Sequence, residues 1–328
     1  MRTEAVGGSL SIIVGEHEHI LAPVWVGEGY PSDVQRALPG IRSGTADGVT
    51  PVVTGRRISI GSRQLLDDED VSWADSAGFA SIHTASGFLL SRLEPAKRRA
   101  ERRPRWSASV AAAAEVILET HRREGAGANA RLASIAEIAD AARLSYSSTA
   151  KALTDFDEAG YTEKVGASRG PTAGRALRDP GALLSDWAAR QSMNAGDRVQ
   201  LHVPWREPQR SLELLNDVIG DSEWAVSGAV AAEQIAPFLT QTVDLRAYIA
   251  QGELHEIRRM LTAVPDVREV RSGGRIMLKT AEPHLFALAE RSGGVPVAPA
   301  VRVYADLVHR GGRLEEAAEH LREVAIGF

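Results

Sequence analysis

The stretch from Ser107 to Leu177 constrains the fold more than any other part of the chain. Ser107–Arg123 is alanine-rich, and Val110, Ala114, Ile117 and Leu118 recur at helical spacing. Gly125-Ala126-Gly127-Ala128-Asn129 ends that helix. Ser134 caps a second helix over Ile135–Ala142, and Glu137 three residues on completes a capping box. Arg143-Leu144-Ser145-Tyr146 is a short connection. A third helix starts at Ser145 or Ser147, runs to about Ala159 and stops at Gly160. Tyr161–Val165 and Arg175–Leu177 then read as two strands around a glycine-bearing loop.

Two helices joined by so short a turn form the unit that many DNA-binding proteins place in a major groove. On the third helix, Ala150, Leu153 and Phe156 are expected to face the core. Ser147, Ser148, Thr149 and Lys151 are then expected to face outward at the helix N-terminus. Small hydroxyl side chains there allow close approach to phosphates and base edges, and the helix end itself favours anions. The run S-x-S-S-T-A-x-x-L-x-x-F-x-x-A-G-Y from Ser145 to Tyr161, preceded by Ile135-Ala136-Glu137-Ile138-Ala139, resembles the winged helix-turn-helix of bacterial transcriptional regulators. The resemblance implies that the loop after Tyr161 is the wing, with Lys164, Arg169 and Arg175 as its basic tips. The competing reading is the same fold used for protein contacts only.

The net charge of −5 argues weakly against a polyanion partner until it is divided along the chain. Residues 1–91 carry 6 Lys/Arg against 11 Asp/Glu, and residues 179–328 carry 16 against 21. Residues 92–178 reverse the balance, with 16 against 11. Within them the proline-bounded segment 94–105 has little apolar content and holds Arg98, Arg99, Arg102, Arg103 and Arg105. It reads as a linker or arm that follows phosphates or enters a minor groove, against the plainer reading of a solvated linker. Because 34 of the 38 basic residues are arginine, arginine abundance alone is compositional and carries no argument.

The expected organisation is α+β and multidomain. A β-rich domain spans 1–93, the basic arm 94–105, the winged helix-turn-helix 106–178 and an α+β interaction domain 179–328. In the first, strands are expected over Ser11–Val14, His19–Val26, Val49–Val53, Arg57–Ile60 and Gly78–His83, with a helix over Pro31–Leu38 and a helix end or solvated turn at Leu65–Val71. In the last, Pro180–Gln191, Ala229–Leu239, Glu253–Leu261 and Arg313–Val324 read as helices. Val199–Val203, Trp224–Ser227, Val243–Ile249, Val267–Val270 and Ile276–Leu278 read as strands.

Two terminal runs add a second resemblance. Trp224-Ala225-Val226-Ser227-Gly228-Ala229-Val230-Ala231-Ala232, and Val303-Tyr304-Ala305-Asp306-Leu307 followed by Gly311-Gly312-Arg313-Leu314-Glu315-Glu316-Ala317-Ala318-Glu319-His320-Leu321-Arg322, resemble the AbiEi-type antitoxin regulators of type IV toxin–antitoxin systems. Trp73-Ala74-Asp75-Ser76-Ala77-Gly78-Phe79 is similar to a pattern of the same group, with Phe79 where that pattern has Asn. The resemblance implies an autorepressor that binds double-stranded DNA of its own promoter and is paired with a nucleotidyltransferase-like toxin.

Catalysis is the alternative class, either a metal-dependent nucleotidyltransferase or a nuclease with an appended DNA-binding module. Ser227-Gly228 before a helix and Asp244-Leu245-Arg246 resemble the first, the C-terminal domain then being a degenerate nucleotidyltransferase-like fold. Arg246 stands where a second metal-holding carboxylate is needed. Asp67–Asp70, Asp75 and His83 suggest the second, but residues 1–93 contain no lysine. His17-Glu18-His19 reads as an exposed turn rather than a metal site, Gly273-Gly274 and Gly293-Gly294 as loop glycines, and His320 as packed or exposed. With no cysteine, thiolate and disulfide chemistry is excluded. No catalytic set, metal or cofactor is therefore expected. No signal core or membrane span is read either, so the expectation is a cytoplasmic protein, with the oligomeric state left open.

Overall fold

The structure is a computed structural model that describes all residues except 1, 7–8, 15–16, 44–47, 85–86, 88, 93–103, 126–129, 167–173, 193–196, 221, 241 and 243. The chain divides into two compact units, 1–100 and 101–328. Mixed α and β structure runs through both. No helix among the described residues is long and apolar enough to cross a membrane.

The first unit is built on a seven-stranded sheet in sequence order. Its strands are β1 (Arg2–Val6), β2 (Ser9–Val14), β3 (His17–Trp25), β4 (Val49–Gly55), β5 (Ser72–Asp75), β6 (Ala80–His83) and β7 (Leu89–Arg92). The outer pairs are antiparallel, but β3, β4 and β5 run parallel. Parallel neighbours need crossovers, which α1 (Pro31–Ser43) and α2 (Ile60–Asp68) supply. Val34, Leu38 and Ile41 of α1 and Leu66 of α2 pack with Val53 and Trp73 on one face of the sheet. Ile12, Leu21, Val52, Ala80 and Ile82 form a separate cluster.

Two sequence expectations fail here. No strand forms over Arg57–Ile60: β4 ends at Gly55, and the Ser59 hydroxyl accepts from the Ser62 amide at 3.2 Å and starts α2 at Ile60. His17-Glu18-His19 opens β3 instead of forming a turn; His17 is exposed and His19 buried.

The second unit begins with α3 (Ala108–Arg123), α4 (Ile135–Ala141) and α5 (Tyr146–Glu158), then β8 (Thr162–Val165) and β9 (Gly174–Leu177). Each helix starts at a serine. Ser107, Ser134 and Ser145 accept from the amides three residues on, and Glu137 closes the capping box at Ser134. After β9, α6 (Pro180–Ser192) leads into a second seven-stranded sheet, ordered β13-β10-β14-β12-β11-β16-β15. These strands are β10 (Arg198–His202), β11 (Trp224–Ser227), β12 (Leu245–Ala250), β13 (Arg268–Val270), β14 (Ile276–Ala281), β15 (Glu290–Ser292) and β16 (Val295–Val297). Seven further helical segments are α7 (Pro208–Ile219), α8 (Gly228–Ile235), α9 (Leu254–Thr262), α10 (Pro283–Leu288), α11 (Ala300–Leu307), α12 (Gly312–Leu321) and a π-helical turn over Arg322–Ile326.

The helical segment and the C-terminal block share one hydrophobic core, continuous from Val110 to Phe328. Trp187 of α6 is fully buried in it and donates its indole N–H to the Ala111 carbonyl at 3.0 Å. Burying one such side chain contributes about 1.5–3 kcal/mol. A polar knot crosses the same interior. Glu115 of α3 is fully buried, accepts from Arg302 Nε of α11 at 2.8 Å and from His284 Nε2 of α10 at 2.9 Å, and is bonded again by the Arg302 terminal nitrogen. The boundary expected at residue 178 is therefore crossed by packing and by buried charge.

Candidate nucleic-acid interface

Helix α5 is amphipathic in a way that fixes which residues it offers to solvent. Thr149, Ala152, Leu153 and Phe156 are buried at helical spacing, and Phe156 lies against Trp106 and Tyr161 with ring centroids 6.3 and 6.2 Å away. The opposite face exposes Ser147, Lys151, Thr154 and Glu158. Ser148 and Ala150 are half-buried at the flank.

The third outward residue of the sequence reading is a correction. Thr149 has no solvent exposure, and its hydroxyl donates to the Ser145 carbonyl at 3.1 Å. A threonine four residues past a helix cap can return its hydroxyl to the backbone, so the small polar run does not all lie on one face. The serines are also partly engaged with one another. Ser145 Oγ lies 2.9 Å from Ser148 Oγ and 3.1 Å from Ser147 Oγ.

Lys151 is 73% exposed and pairs with Asp155 one turn on at 3.3 Å. At that exposure the pair is weak and readily exchanged for another anion.

The hairpin beside α5 is broader than the sequence suggested. The segment 130–132 runs antiparallel to β9: Leu132 N donates to Arg175 O at 2.8 Å and Leu177 N to Ala130 O at 3.0 Å. The Arg131 guanidinium lies over Gly174, where a Cβ would sit only 2.7 Å from Nε. A side chain at 174 would have to push that guanidinium aside.

Lys164 is exposed on β8, as a basic hairpin residue should be. Arg175 is not a free tip. Its Nε is shared between the two carboxylate oxygens of Asp157 at 3.0 and 3.2 Å, which locks the hairpin to the end of α5. Arg169 lies outside the described residues, as do Arg98, Arg99, Arg102 and Arg103 of the arm. Arg105 is exposed, but Pro104 beside it is buried and Trp106 is half-buried against Phe156. The end of the arm is thus packed onto the second unit.

Two exposed residues here escaped the sequence reading. Tyr146, the first residue of α5, is 60% exposed and lies between Ser145 and Ser147. Its signal was an aromatic outside the apolar register of its own helix. Arg143 is exposed in the turn between α4 and α5 at a φ of 55°, the left-handed conformation that lets so short a turn close.

Of the residues weighed for catalysis, Asp67 and Asp75 are engaged within their own unit, and Asp244 is not. One Asp75 oxygen accepts from the Phe79 amide at 3.0 Å, and the other from the Ile58 amide and Arg63. Asp67 accepts the Trp73 indole N–H at 3.0 Å. Asp244 is exposed just before β12. His320 stacks on Phe238 with centroids 5.0 Å apart. Among the described residues no group of three or more His, Asp or Glu side chains is placed to hold a metal ion. No protein-family model, curated protein or solved structure matches the chain.

Proposed function

We propose that the chain is a DNA-binding transcriptional regulator whose α4–α5 pair is a helix-turn-helix and whose β8–β9 hairpin is its wing. The observation that carries the reading is α5 itself. Its buried stripe holds it on α3, and its first turns present Tyr146, Ser147 and Lys151 to solvent at the positive end of the helix dipole. The order helix, short strand, helix, helix, hairpin supports a winged form. Exposed Lys164, Arg143 and Arg105 supply phosphate contacts around it, and the arginines of the arm extend them.

The antitoxin resemblance narrows this to an autorepressor acting on its own promoter, with a nucleotidyltransferase-like toxin as the natural partner of the remaining surfaces. The engagement of Asp67 and Asp75 inside their own unit, and an arginine two residues after Asp244, favour this non-enzymatic reading over catalysis.

The test is a gel-shift titration of the full chain on its own promoter DNA and on a scrambled duplex, at two salt concentrations. Tighter binding to the promoter with affinity falling steeply in salt is expected. Equal affinity for both duplexes, or no complex, refutes the proposal. Lys151→Glu is expected to weaken the specific complex by roughly tenfold or more through charge reversal at the interface. Unchanged affinity would place the recognition surface elsewhere.

A further inference from the structure

A cavity of about 210 Å³ lies between α3, α4 and the segment 131–133. Its deep side is apolar. Val116 and Ile117 of α3 and Ile138 of α4 line it while staying at most 3% exposed, so the cavity is recessed and not a shallow dent. Protein interiors rarely leave voids larger than a water molecule. An apolar cavity of about 150 Å³ is enough to take up benzene, so this one has room for a ring and a short substituent.

His121 of α3 also lines the cavity and is only 4% exposed. Its ring packs against Phe328, with centroids 5.2 Å apart. Among the described residues no hydrogen bond or ion pair engages its nitrogens. Buried polar groups ordinarily have a partner. Burial holds the His121 pKa below its ordinary value, against the opposing pull of Glu124, so at neutral pH the imidazole keeps an acceptor nitrogen.

The solvent side of the cavity is also rich in acceptors. Glu124 and Glu137 are exposed carboxylates of the lining. Glu137 accepts from the Ser134 amide at 2.8 Å, whereas no described partner engages the Glu124 side chain. The C-terminal turn of α3 adds the negative end of its dipole. Arg131 is the one arginine or lysine of the lining, and its guanidinium lies over Gly174 of the hairpin.

An ammonium group offers three donors and no acceptor, which fits this set. A carboxylate would instead meet two like charges. A hydrocarbon body can fill the apolar side while the charge stays at the wet edge, so no charge has to be buried. We propose that the cavity binds a small primary amine with an apolar body, its ammonium beside His121 and Glu124. The walls belong to the first helix of the α4–α5 pair and to the segment that pairs with β9, so the ligand touches both parts that hold α5 in place. Its role as an effector of promoter binding rests on the DNA-binding reading; the site itself does not.

Isothermal titration calorimetry of the full chain with benzylamine, benzyl alcohol and benzoate tests the site. Benzylamine is expected to bind roughly tenfold tighter than benzyl alcohol, the range of one hydrogen bond to a charged group, and benzoate to bind weakest. Glu124→Gln should erase the tenfold preference and leave benzyl alcohol unchanged. Glu124 is exposed, so that variant keeps the fold. Ala141→Leu, at the half-exposed edge of the cavity, should weaken both ligands by filling the space. No binding of benzylamine, benzoate binding as tightly, or benzylamine affinity unchanged in both variants each overturns the proposal. In the gel shift, benzylamine should change the promoter affinity of the parent chain about fivefold or more, a typical coupling, and leave that of Ala141→Leu unmoved. Benzylamine binding with promoter affinity unmoved overturns the effector role alone. Benzylamine binding by a chain that binds no promoter supports the site and refutes the DNA-binding reading, and the effector role falls with it.

Discussion

Replacing Glu115 with Gln should unfold the second unit more readily than any surface change described above. The carboxylate is fully buried on α3 and is held by Arg302 and His284. Burial alone would raise its pKa; the Arg302 charge and the hydrogen bonds from His284 and Arg302 outweigh that and hold it at about 2, against 4.5 for a free side chain. The folded pKa lies below the unfolded one. The contribution is therefore complete above about pH 4.5 and is lost as the pH falls toward 2. A shift of that size is worth about 3 kcal/mol. Removing one partner of a buried pair leaves the other charge stranded, at a cost of about 3–5 kcal/mol. Urea unfolding of Glu115→Gln at neutral pH should show a loss of that order. Between pH 4.5 and 2 the stability of the variant should fall less steeply than that of the parent chain. Glu115→Gln combined with Arg302→Met removes both charges and should recover most of the loss. A single-variant loss below about 1 kcal/mol, in the range of an exposed pair, would refute the account. So would a double variant no more stable than the single one.

Three further outcomes follow from local geometry. Thr149→Val keeps the shape of a buried side chain but removes its bond to Ser145, so it should cost about 1 kcal/mol in urea unfolding and leave promoter affinity unchanged; weaker DNA binding at unchanged stability would restore Thr149 to the interface. Ser134→Ala breaks the capping box of α4 and should cost about 1 kcal/mol, and no change in unfolding midpoint would mean the cap is dispensable. Gly228→Ala places a Cβ at a left-handed φ against the Arg246 stem and should cost at least about 1–2 kcal/mol; a thermal midpoint equal to that of the parent chain would count against the backbone placement.

What the sequence revealed depended on whether the signal was local. The capping box at Ser134, the start of α5 at one of two neighbouring serines, the stop at Gly160 and the two hairpin strands were legible because each rests on residues a few positions apart. The parallel run of β3, β4 and β5 was not, since strand direction depends on crossovers rather than on the strands. Helices α7, α10 and α11 were missed for different reasons. The first two open on Pro208 and Pro283, which sit at the helix start where a missing amide costs nothing, and neither has a side-chain cap to announce it. Almost every residue of α11 is buried, so it lacks a polar face to mark its period. The knot of Glu115, His284 and Arg302 joins residues more than 160 positions apart, and no local spacing announces it.

The charge argument was legible in sum but not in distribution. Residues 92–178 carry a net +5, yet much of their basic complement is consumed internally. Arg122 and Arg123 converge on buried Glu119 and also pair with Glu290 from outside the segment, and Arg175 is held by Asp157. Lys151 spends part of its charge on Asp155. Among the described residues of the segment, Arg105, Arg143, Lys164 and Arg178 are exposed without such a partner. These four and Lys151, whose weak pair is readily exchanged, rather than the net count, set how many phosphates the packed part of the unit can neutralise directly. Each phosphate neutralised contributes about −0.9 to the logarithmic salt slope on duplex DNA. A measured slope of up to about five times that value would locate binding on the packed surface alone. A steeper one would require the arginines of the arm, because the interior pairs are not available to exchange with a phosphate.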